Sequence, residues 1–401
     1  MNSALGILAF VVALLLSVML HEAGHFFAAR KFGMKVTEFF VGFGPRIWSV
    51  IRGETEYGIK AIPAGGYVRI SGMTPAEELS VEDQPRAFYR ARIIHRIITL
   101  AAGSIIHFLI GLTLLFLFLF TIGVNTPTTS IAQISPCVPS NVLVGCQSSD
   151  LISPAKQAGI QVGDKLVAVD GNRISKWEDG TKIFRSNAGV PIQLNVLRDG
   201  KEISLTLTPA NLKLEDGSNR GFIGIGPKIE PQRLTFWNST TTSITIFGTL
   251  TKASVEGLLS IPSKIPTLWG QVVDHKTRTA EDLVGVVGAA RASGQTFSAT
   301  NYSVSEKIGT FLLMVASLNI FVGLFNSLPI PPLDGGHIAV AIADGIRRRW
   351  ARFKGKSEPS PIDIARLTPI TIVVLTALIS LSLLLLAADI FNPVQIGRAH
   401  V

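Results

Sequence analysis

Charged residues are scarce in this chain: they make up 16% of its 401 residues, and 47% of the residues are hydrophobic. Soluble globular domains carry about 25% charged residues, so this composition argues against a purely soluble protein. Charge is especially sparse in four apolar blocks, each long enough to cross about 30 Å of hydrocarbon as a helix. We predict four transmembrane helices, at residues 4–28, 97–124, 309–330 and 370–391.

Basic residues are almost absent from both ends of the chain. No Lys or Arg precedes the first block, which therefore lacks the charged start of a removable signal peptide and is expected to remain in the mature protein. The net charge of +9 reflects two loops: residues 30–96 hold eleven Lys or Arg, and residues 347–366 hold seven. This placement indicates membrane orientation and not nucleic-acid binding. By the positive-inside rule both loops are cytoplasmic, so both termini and the long segment between the second and third helices lie outside.

Cysteine is limited to Cys137 and Cys146, both in the outer segment. On the oxidising side of a membrane, two cysteines at this spacing either close a small disulfide loop or remain two thiols. The active-site prediction does not depend on them.

Three segments between the helices have patterns of their own. Residues 33–95 alternate apolar and polar side chains around Gly-containing turns, which predicts a β-hairpin that dips into the cytoplasmic membrane face; an ordinary small sheet is the alternative. Residues 126–230 resemble a PDZ domain of the circularly permuted bacterial type, through SPAKQAGIQVGDKLVAVDG at residues 153–171. Residues 231–307 fit either an amphipathic helix on the outer membrane surface or a linker.

The first apolar block continues into polar residues that a bilayer resists. His21 and His25 are four residues apart, so on a helix both imidazoles point to one side and can bind one metal ion. Glu22 lies next to the first of them, where a general base could take a proton from water. Ionisable residues in a membrane helix are costly and usually functional. The HEAGH sequence therefore predicts a metalloprotease site, and the alternative is a solvated helix end.

A catalytic zinc ion usually has three protein ligands, so another helix must supply the third. The end of the third block and the residues after it offer two candidates, Asp334 and His337, in LFNSLPIPPLDGGH at residues 324–337. Three prolines break the helix here, and two glycines allow close approach of the backbone. A broken helix at membrane depth is tolerated only where it lines protein or a watery cavity. The pattern predicts an internal site and leaves the choice between the two ligands open.

Together these motifs resemble the site-2 protease family of intramembrane zinc metalloproteases, and most closely its bacterial branch, which cleaves anti-sigma factors. The resemblance spans nearly the whole chain and rests on HEAGH, IPAGGYVRI, the PDZ-like segment and FNSLPIPPLDGG. It implies that His21, His25 and Asp334 bind Zn²⁺ as the cofactor and that Glu22 is the catalytic base.

The resemblance also implies residues that bind substrate: Asn326, Gly65, Gly66 and Tyr67. The second helix departs from the family, which often has Gly-Pro followed by Asn. In AAGSIIHF, Ser104 replaces the proline and His107 replaces the asparagine. Their roles stay open between lining the cavity and packing of helices.

The predicted fold is an α-helical polytopic membrane protein with four transmembrane helices, a membrane-associated β-hairpin or sheet and an extracytoplasmic α+β PDZ domain. The resemblance places it in the bacterial cytoplasmic membrane, with the active site toward the cytoplasmic side. The predicted segments are 1–32 (first helix with HExxH), 33–95 (cytoplasmic-side β segment and basic loop), 96–125 (second helix), 126–230 (PDZ domain), 231–307 (linker or amphipathic segment), 308–345 (third helix region with LDG), 346–368 (cytoplasmic basic loop), 369–392 (fourth helix) and 393–401 (tail).

The predicted function is hydrolysis of a peptide bond in the transmembrane segment of single-pass membrane proteins such as anti-sigma factors, after trimming of the substrate outside. Further expected partners are the lipid bilayer and a peptide C terminus at the PDZ domain, which alternatively excludes bulky substrates. One alternative function is a non-catalytic, membrane-anchored PDZ adaptor with a degenerate metal site, against which the intact motifs count. A metal transporter is disfavoured because the fourth helix has no ionisable residue before Asp389.

Overall fold

A computed structural model of the chain describes residues 3–139, 146–213, 219–274, 276–279, 282–300, 302–357 and 359–394. The chain forms two compact units, which we call the helical unit (Met1–Thr121 with Thr235–Val401) and the sheet unit (Ile122–Leu234). Residues 395–401 of the predicted tail lie outside the described part.

The secondary structure is mainly helical, with strands in two regions. The helices are α1 (Ser3–Lys31), α2 (Ile93–Leu117), α3 (Pro154–Gln157), α4 (Trp177–Ser186), α5 (Phe236–Val273), α6 (Val286–Ser298), α7 (Val304–Asn326), α8 (Asp334–Phe353) and α9 (Thr368–Phe391). The strands are β1 (Val36–Arg52), β2 (Thr55–Ile70), β3 (Val124–Ile134), β4 (Lys165–Val169), β5 (Asn172–Arg173), β6 (Ile192–Arg198), β7 (Lys201–Leu207), β8 (Ala210–Lys213), β9 (Asn219–Phe222) and β10 (Ile225–Gln232).

Among the described residues, five helical stretches are long and apolar enough to cross a membrane, by length and composition: Ser3–Lys31, Ile93–Ile122, Phe236–Val273, Val304–Asn326 and Ile364–Phe391. Four of them coincide with the predicted blocks. The fifth, α5, lies in the segment that we predicted to be a linker or a surface helix. The prediction of several membrane helices is confirmed, whereas the count of four is not.

Helix α5 was not predicted as a candidate span because its sequence is rich in Ser and Thr. In the structure the hydroxyl groups of Thr240, Thr241, Thr245 and Thr249 each donate a hydrogen bond to the backbone oxygen four residues earlier. Hydroxyls that are satisfied within the helix no longer need water. The segment can therefore remain helical and apolar over 38 residues.

Strands β1 and β2 form a strongly irregular antiparallel hairpin. Near Glu38, β1 is paired on both edges, because its register partners include Arg69 and Glu56. The base of the hairpin packs on α1 and α2 in a cluster of buried apolar residues: Phe26, Ala29, Met34, Val36, Ile70, Phe88 and Leu100. Its far end exposes Ile47 and Trp48, and insertion of this end into the membrane face stays a prediction.

The sheet unit has its own apolar core. Its main sheet has the strand order β10-β3-β4-β6-β7, with β5 paired to β4, and β8 and β9 form a separate pair. All of these pairs are antiparallel. Ser153 caps α3 by accepting a hydrogen bond from the backbone nitrogen of Lys156. Cys137 and Cys146 form a disulfide, which settles the alternative left open by the sequence.

Within the sheet unit, Arg198 donates hydrogen bonds of 2.8 and 2.7 Å to the buried carboxylate of Asp164. These bonds hold the pKa of Asp164 below its ordinary value. The folded-state pKa of Asp164 is therefore lower than the unfolded-state pKa of about 3.9. Above the unfolded-state pKa the pair contributes its full stabilisation, and this stabilisation is lost as the pH falls through the folded-state pKa.

We therefore expect hydrogen-exchange protection of β4 to fall below about pH 4 in the full chain. Asp164→Asn should lower this protection at neutral pH and flatten its dependence on acid. A wild-type acid profile in Asp164→Asn would contradict this role of the pair.

Candidate metal centre

The candidate centre lies where α1 and α2 approach each other through two glycines. A Cβ atom on Gly24 would lie 2.8 Å from the backbone oxygen of Ala102. A Cβ atom on Gly103 would lie 2.4 Å from Cε1 of His21 and 2.5 Å from Nε2 of His25. Both imidazoles are buried. Glycine at these two positions therefore lets α2 lie directly against the face of α1 that carries HEAGH.

Asp334 reaches the same place from a distant part of the chain. Helix α7 ends at Asn326, and α8 begins at Asp334 after a non-helical segment that contains the three prolines. A Cβ atom on Gly335 would lie 2.3 Å from the backbone oxygens of Ser327 and Leu328. Glycine thus allows the first turn of α8 to fold back on the segment that follows α7, which brings Asp334 to the two imidazoles.

Three donor atoms form a nearly equilateral triangle. Nε2 of His21 lies 3.1 Å from Nε2 of His25, and Oδ2 of Asp334 lies 3.3 Å from each nitrogen. Two ligands of a tetrahedral zinc ion, each about 2.0–2.1 Å from the metal, are about 3.3 Å apart. Oδ2 of Asp334 is buried and has no hydrogen-bond partner among the described residues. The donor types, their spacing and this unsatisfied oxygen fit zinc.

His337, the rival third ligand, is not part of this triangle. A metal site needs three or more His, Cys, Asp or Glu side chains whose donor atoms lie close together. Within the described ranges, only His21, His25 and Asp334 form such a group, with donor atoms within 4.8 Å of one another. Nδ1 of His337 is buried and has no hydrogen-bond partner in that part of the chain. The geometry favours Asp334 as the third ligand.

The orientation of His25 is fixed by a hydrogen bond behind the candidate metal position. Its Nδ1 lies 2.7 Å from the backbone oxygen of Thr99, one helical turn before Gly103 on α2. A backbone oxygen can only accept, so Nδ1 carries the proton and Nε2 presents its lone pair to the other donors. The sequence contained no signal for Thr99, because the contact uses a backbone atom.

His21 has no such hydrogen bond: its Nδ1 is buried and without a partner among the described residues. Its ring instead packs against His107, with ring centres 4.9 Å apart. Nδ1 of His107 lies 2.8 Å from Oδ1 of Asn319, whose amide nitrogen donates to Ser17 at 3.1 Å. This buried network joins α2, α7 and α1 one helical turn from the donor triangle. Of its members, sequence analysis identified only His107.

Glu22 is held by the hairpin. Its Oε2 accepts a hydrogen bond of 3.0 Å from the backbone nitrogen of Val68 in β2. Val68 is paired with Phe39 of β1 on its other side, and its N–H donates to Glu22 and not to β1. The outer edge of β2 therefore faces the carboxylate of Glu22.

The residues predicted to bind substrate have different surroundings. The hydroxyl of Tyr67 donates to Glu38 and accepts from Nζ of Lys60 at 2.7 Å, so its polar group is used within the hairpin. Gly66 faces α1, because a Cβ atom there would lie 2.4 Å from Sδ of Met19. Gly65 has a φ of 131°, which favours glycine. Asn326 is the last residue of α7, eight residues before Asp334. Substrate binding by these four residues stays a prediction.

Gly103 provides a test of the geometry. We expect Gly103→Ala to weaken zinc binding by about 10- to 100-fold, as displacement of a ligand's support typically does, because the new methyl group must push one imidazole out of the triangle. Gly257→Ala on α5 is the matched control, since open space surrounds its Cβ position. Zinc content after dialysis against a competing chelator measures the effect. Equal zinc retention by the two variants would contradict the packing described.

Comparison with known proteins agrees with this site. Residues 9–359 match the model of peptidase family M50. The chain is 33% identical to zinc metalloprotease Rip1 of Mycobacterium tuberculosis. The aligned part covers 98% of this chain and 98% of that protein. It is 34% identical to Rip1 of Mycolicibacterium smegmatis, covering 99% of this chain and 100% of that protein. A putative zinc metalloprotease of Vibrio cholerae is 27% identical, over 85% of this chain and 91% of its own.

Among solved structures, the PDZ domain of an SdrC-like protein from Listeria monocytogenes matches with 16% identity and a TM-score of 0.17. The matched part is 24% of this chain and 86% of that domain's chain. That score is too low to carry an argument about the fold. The match to the family, at residues 9–359, and the match to Rip1 of M. tuberculosis, over 98% of the chain, by contrast extend over the segments of this chain that carry both metal motifs. The chain belongs to peptidase family M50, the site-2 proteases, and is a zinc metalloprotease.

Proposed function

We propose that this zinc metalloprotease hydrolyses a peptide bond within the transmembrane segment of single-pass membrane proteins, among them anti-sigma factors, after their outer part has been trimmed. The observation that carries the proposal is the donor triangle of His21, His25 and Asp334. Both imidazoles are buried and lie on α1, whose first 17 residues after Ser3 carry no charge, and Asp334 reaches them from α8. A metal centre on such a helix suits a substrate that is itself in the membrane.

We assign the zinc ligands to His21, His25 and Asp334. Zinc bound there supplies Lewis-acid chemistry, in that it polarises a peptide carbonyl and makes water more acidic. His25 keeps Nε2 available because Thr99 holds its other nitrogen. The ring of His107 packs against the ring of His21 and so restricts the orientation of that ligand.

Glu22 is the proposed general base. It takes a proton from the attacking water, whose oxygen forms the new bond to the carbonyl carbon, and it returns that proton to the amine as the C–N bond breaks. The hydrogen bond from Val68 orients its carboxylate through Oε2. Glu22 thus moves one proton from water to the leaving amine. One water molecule is consumed for each peptide bond that is hydrolysed.

Residues 40–70 are proposed to hold the unwound substrate. A transmembrane helix hides its carbonyl groups in backbone hydrogen bonds, so the substrate must become extended before attack. The outer edge of β2 faces Glu22, as the Val68 hydrogen bond requires. An extended segment added along that edge would bring its backbone close to the base and the metal ligands.

The proposed orientation follows from charge. We place α5 on the outer membrane surface, so that α1, α2, α7 and α9 are the helices that cross. The basic loops at 30–96 and 347–366 are then both cytoplasmic, and the sheet unit and both termini are outside the bacterial inner membrane. Since His21 and His25 are in the C-terminal half of α1, which ends with Arg30 and Lys31, the cut should fall toward the cytoplasmic end of the substrate helix. We propose that the sheet unit is a PDZ domain that binds a peptide C terminus.

The test is cleavage by the purified full chain in proteoliposomes that contain a single-pass substrate with its outer domain removed. We expect products cut inside the membrane segment, located by mass spectrometry. Their formation should stop after chelation of zinc and return when Zn²⁺ is added. Products that survive chelation, or cuts confined to residues outside the membrane segment, would overturn the proposed function.

A further inference from the structure

Helix α8 has two different faces beyond the metal ligand at its start. One face is buried against α2: Asp344 is fully buried there and accepts a hydrogen bond of 2.9 Å from the guanidinium of Arg96. Arg348, one turn further on, pairs with the same carboxylate at 3.0 Å. These contacts fix the rotation of α8 about its own axis and therefore decide which of its residues point outward.

The other face carries an exposed apolar stripe. Its members, with the exposed fraction of each residue, are Ile342 (46%), Ile346 (65%), Trp350 (60%) and Phe353 (86%). Their spacing of four, four and three residues places them on one side of the helix. Trp and Phe are the large side chains typical of helices that lie in a membrane interface. The stripe runs from Ile342 near the middle of α8 to Phe353 at its end.

Basic residues flank this stripe on both sides: Arg347, Arg349, Arg352 and Lys354. Nζ of Lys354 lies 4.6 Å from the centre of the Trp350 ring. In the described part of the chain, no carboxylate pairs with Arg349 or Arg352 within 4.0 Å. The exposed surface of this half-helix therefore combines apolar side chains with excess positive charge, which is complementary to an apolar surface that carries negative charge.

The position of α8 in the chain selects the partner. The helix lies between α7 and α9, two of the candidate membrane spans, so membrane lipid is within reach of both of its ends. We propose that the C-terminal half of α8 is an interfacial helix, which inserts the stripe into the lipid and binds anionic phospholipid headgroups with Arg349, Arg352 and their basic neighbours. This surface is separate from the zinc site and is required neither for metal binding nor for the proposed cleavage.

Trp350 supplies its own reporter. Full-length wild type and Trp350→Phe would be placed in nanodiscs of phosphatidylcholine with about 30% phosphatidylglycerol, and the difference between their fluorescence isolates Trp350 from the other tryptophans. In one sample the phosphatidylglycerol carries brominated acyl chains, and in the other an equal amount of phosphatidylcholine does. We expect brominated phosphatidylglycerol to quench Trp350 about twofold more strongly, since the basic flanks enrich that lipid around the helix.

Arg349→Gln/Arg352→Gln should abolish this preference, whereas Lys165→Gln/Lys201→Gln, which removes two exposed charges from the sheet unit, should keep it. Phe353→Trp in the Trp350→Phe background provides a second reporter on the same stripe. Equal quenching by the two lipids in wild type would overturn headgroup recognition. Absence of quenching by either lipid, at both reporter positions, would show that protein covers the stripe and would overturn the proposal as a whole.

Discussion

Glu22→Gln should lower the rate of cleavage by about 10²- to 10⁴-fold, the range that general base catalysis typically contributes, while zinc content stays at the wild-type level. Glutamine has the size of glutamate, and its side-chain oxygen can still accept the hydrogen bond from Val68. It cannot take the proton of the attacking water. The change therefore removes the chemistry and keeps the packing.

The measurement pairs initial cleavage rates in proteoliposomes with zinc content per chain in the same preparation. Glu178→Gln, an exposed change in the sheet unit, is the matched control and should leave both quantities unchanged. Cleavage by Glu22→Gln at the control rate would exclude Glu22 as the base. Loss of zinc in Glu22→Gln would instead mean that its carboxylate supports the metal.

Asp334→Asn should weaken zinc binding by at least about 100-fold, the upper end of what loss of a supporting hydrogen bond costs, and should abolish cleavage with it. The carboxylate contributes one of the three donors and the only negative charge among them. A neutral amide of the same shape offers a much poorer oxygen to a divalent cation. Because shape is preserved, a large effect reports on the charge of the ligand and not on packing.

His337→Asn is the control for this prediction, since His337 is the rival ligand three residues further along α8. It should retain zinc at nearly the wild-type affinity, measured by competition with a chromophoric chelator. The opposite result, with zinc lost in His337→Asn and kept in Asp334→Asn, would move the third ligand to the histidine.

Much of the candidate centre could be predicted from the sequence, because its two motifs are local patterns with simple geometry. A spacing of four places His21 and His25 on one side of any helix. The run of prolines before Asp334 requires a break in helical structure wherever the segment lies. What remained open was the choice between Asp334 and His337, which the spacing of motifs alone does not decide.

The supporting contacts could not be predicted, because they depend on how helices distant in sequence pack. Gly103 appears in the sequence as an ordinary small residue of a membrane helix, and only its distance to both imidazoles reveals why a side chain is excluded. Thr99 acts through its backbone oxygen, so its residue type carries no information. Asn319 is recognisable only once His107 and Ser17 are adjacent to it.

The number of candidate spans was missed for a different reason. Hydropathy counts each Thr of α5 as a polar residue exposed to its surroundings, whereas in a helix its hydroxyl can bond to the preceding turn. Helix α5 also continues through Pro262 and Pro266, which both lie inside it. Composition therefore identified four blocks correctly and understated the helical content of the segment before α6.

The most direct test of the zinc site is X-ray absorption at the zinc edge of the full chain, purified with one zinc ion bound. The account predicts a first shell of two imidazole nitrogens with oxygen ligands, at about 2.0–2.1 Å, and the loss of this shell in Asp334→Asn. A third imidazole in that shell, or an unchanged spectrum in Asp334→Asn, would contradict the assignment of His21, His25 and Asp334 as the zinc ligands.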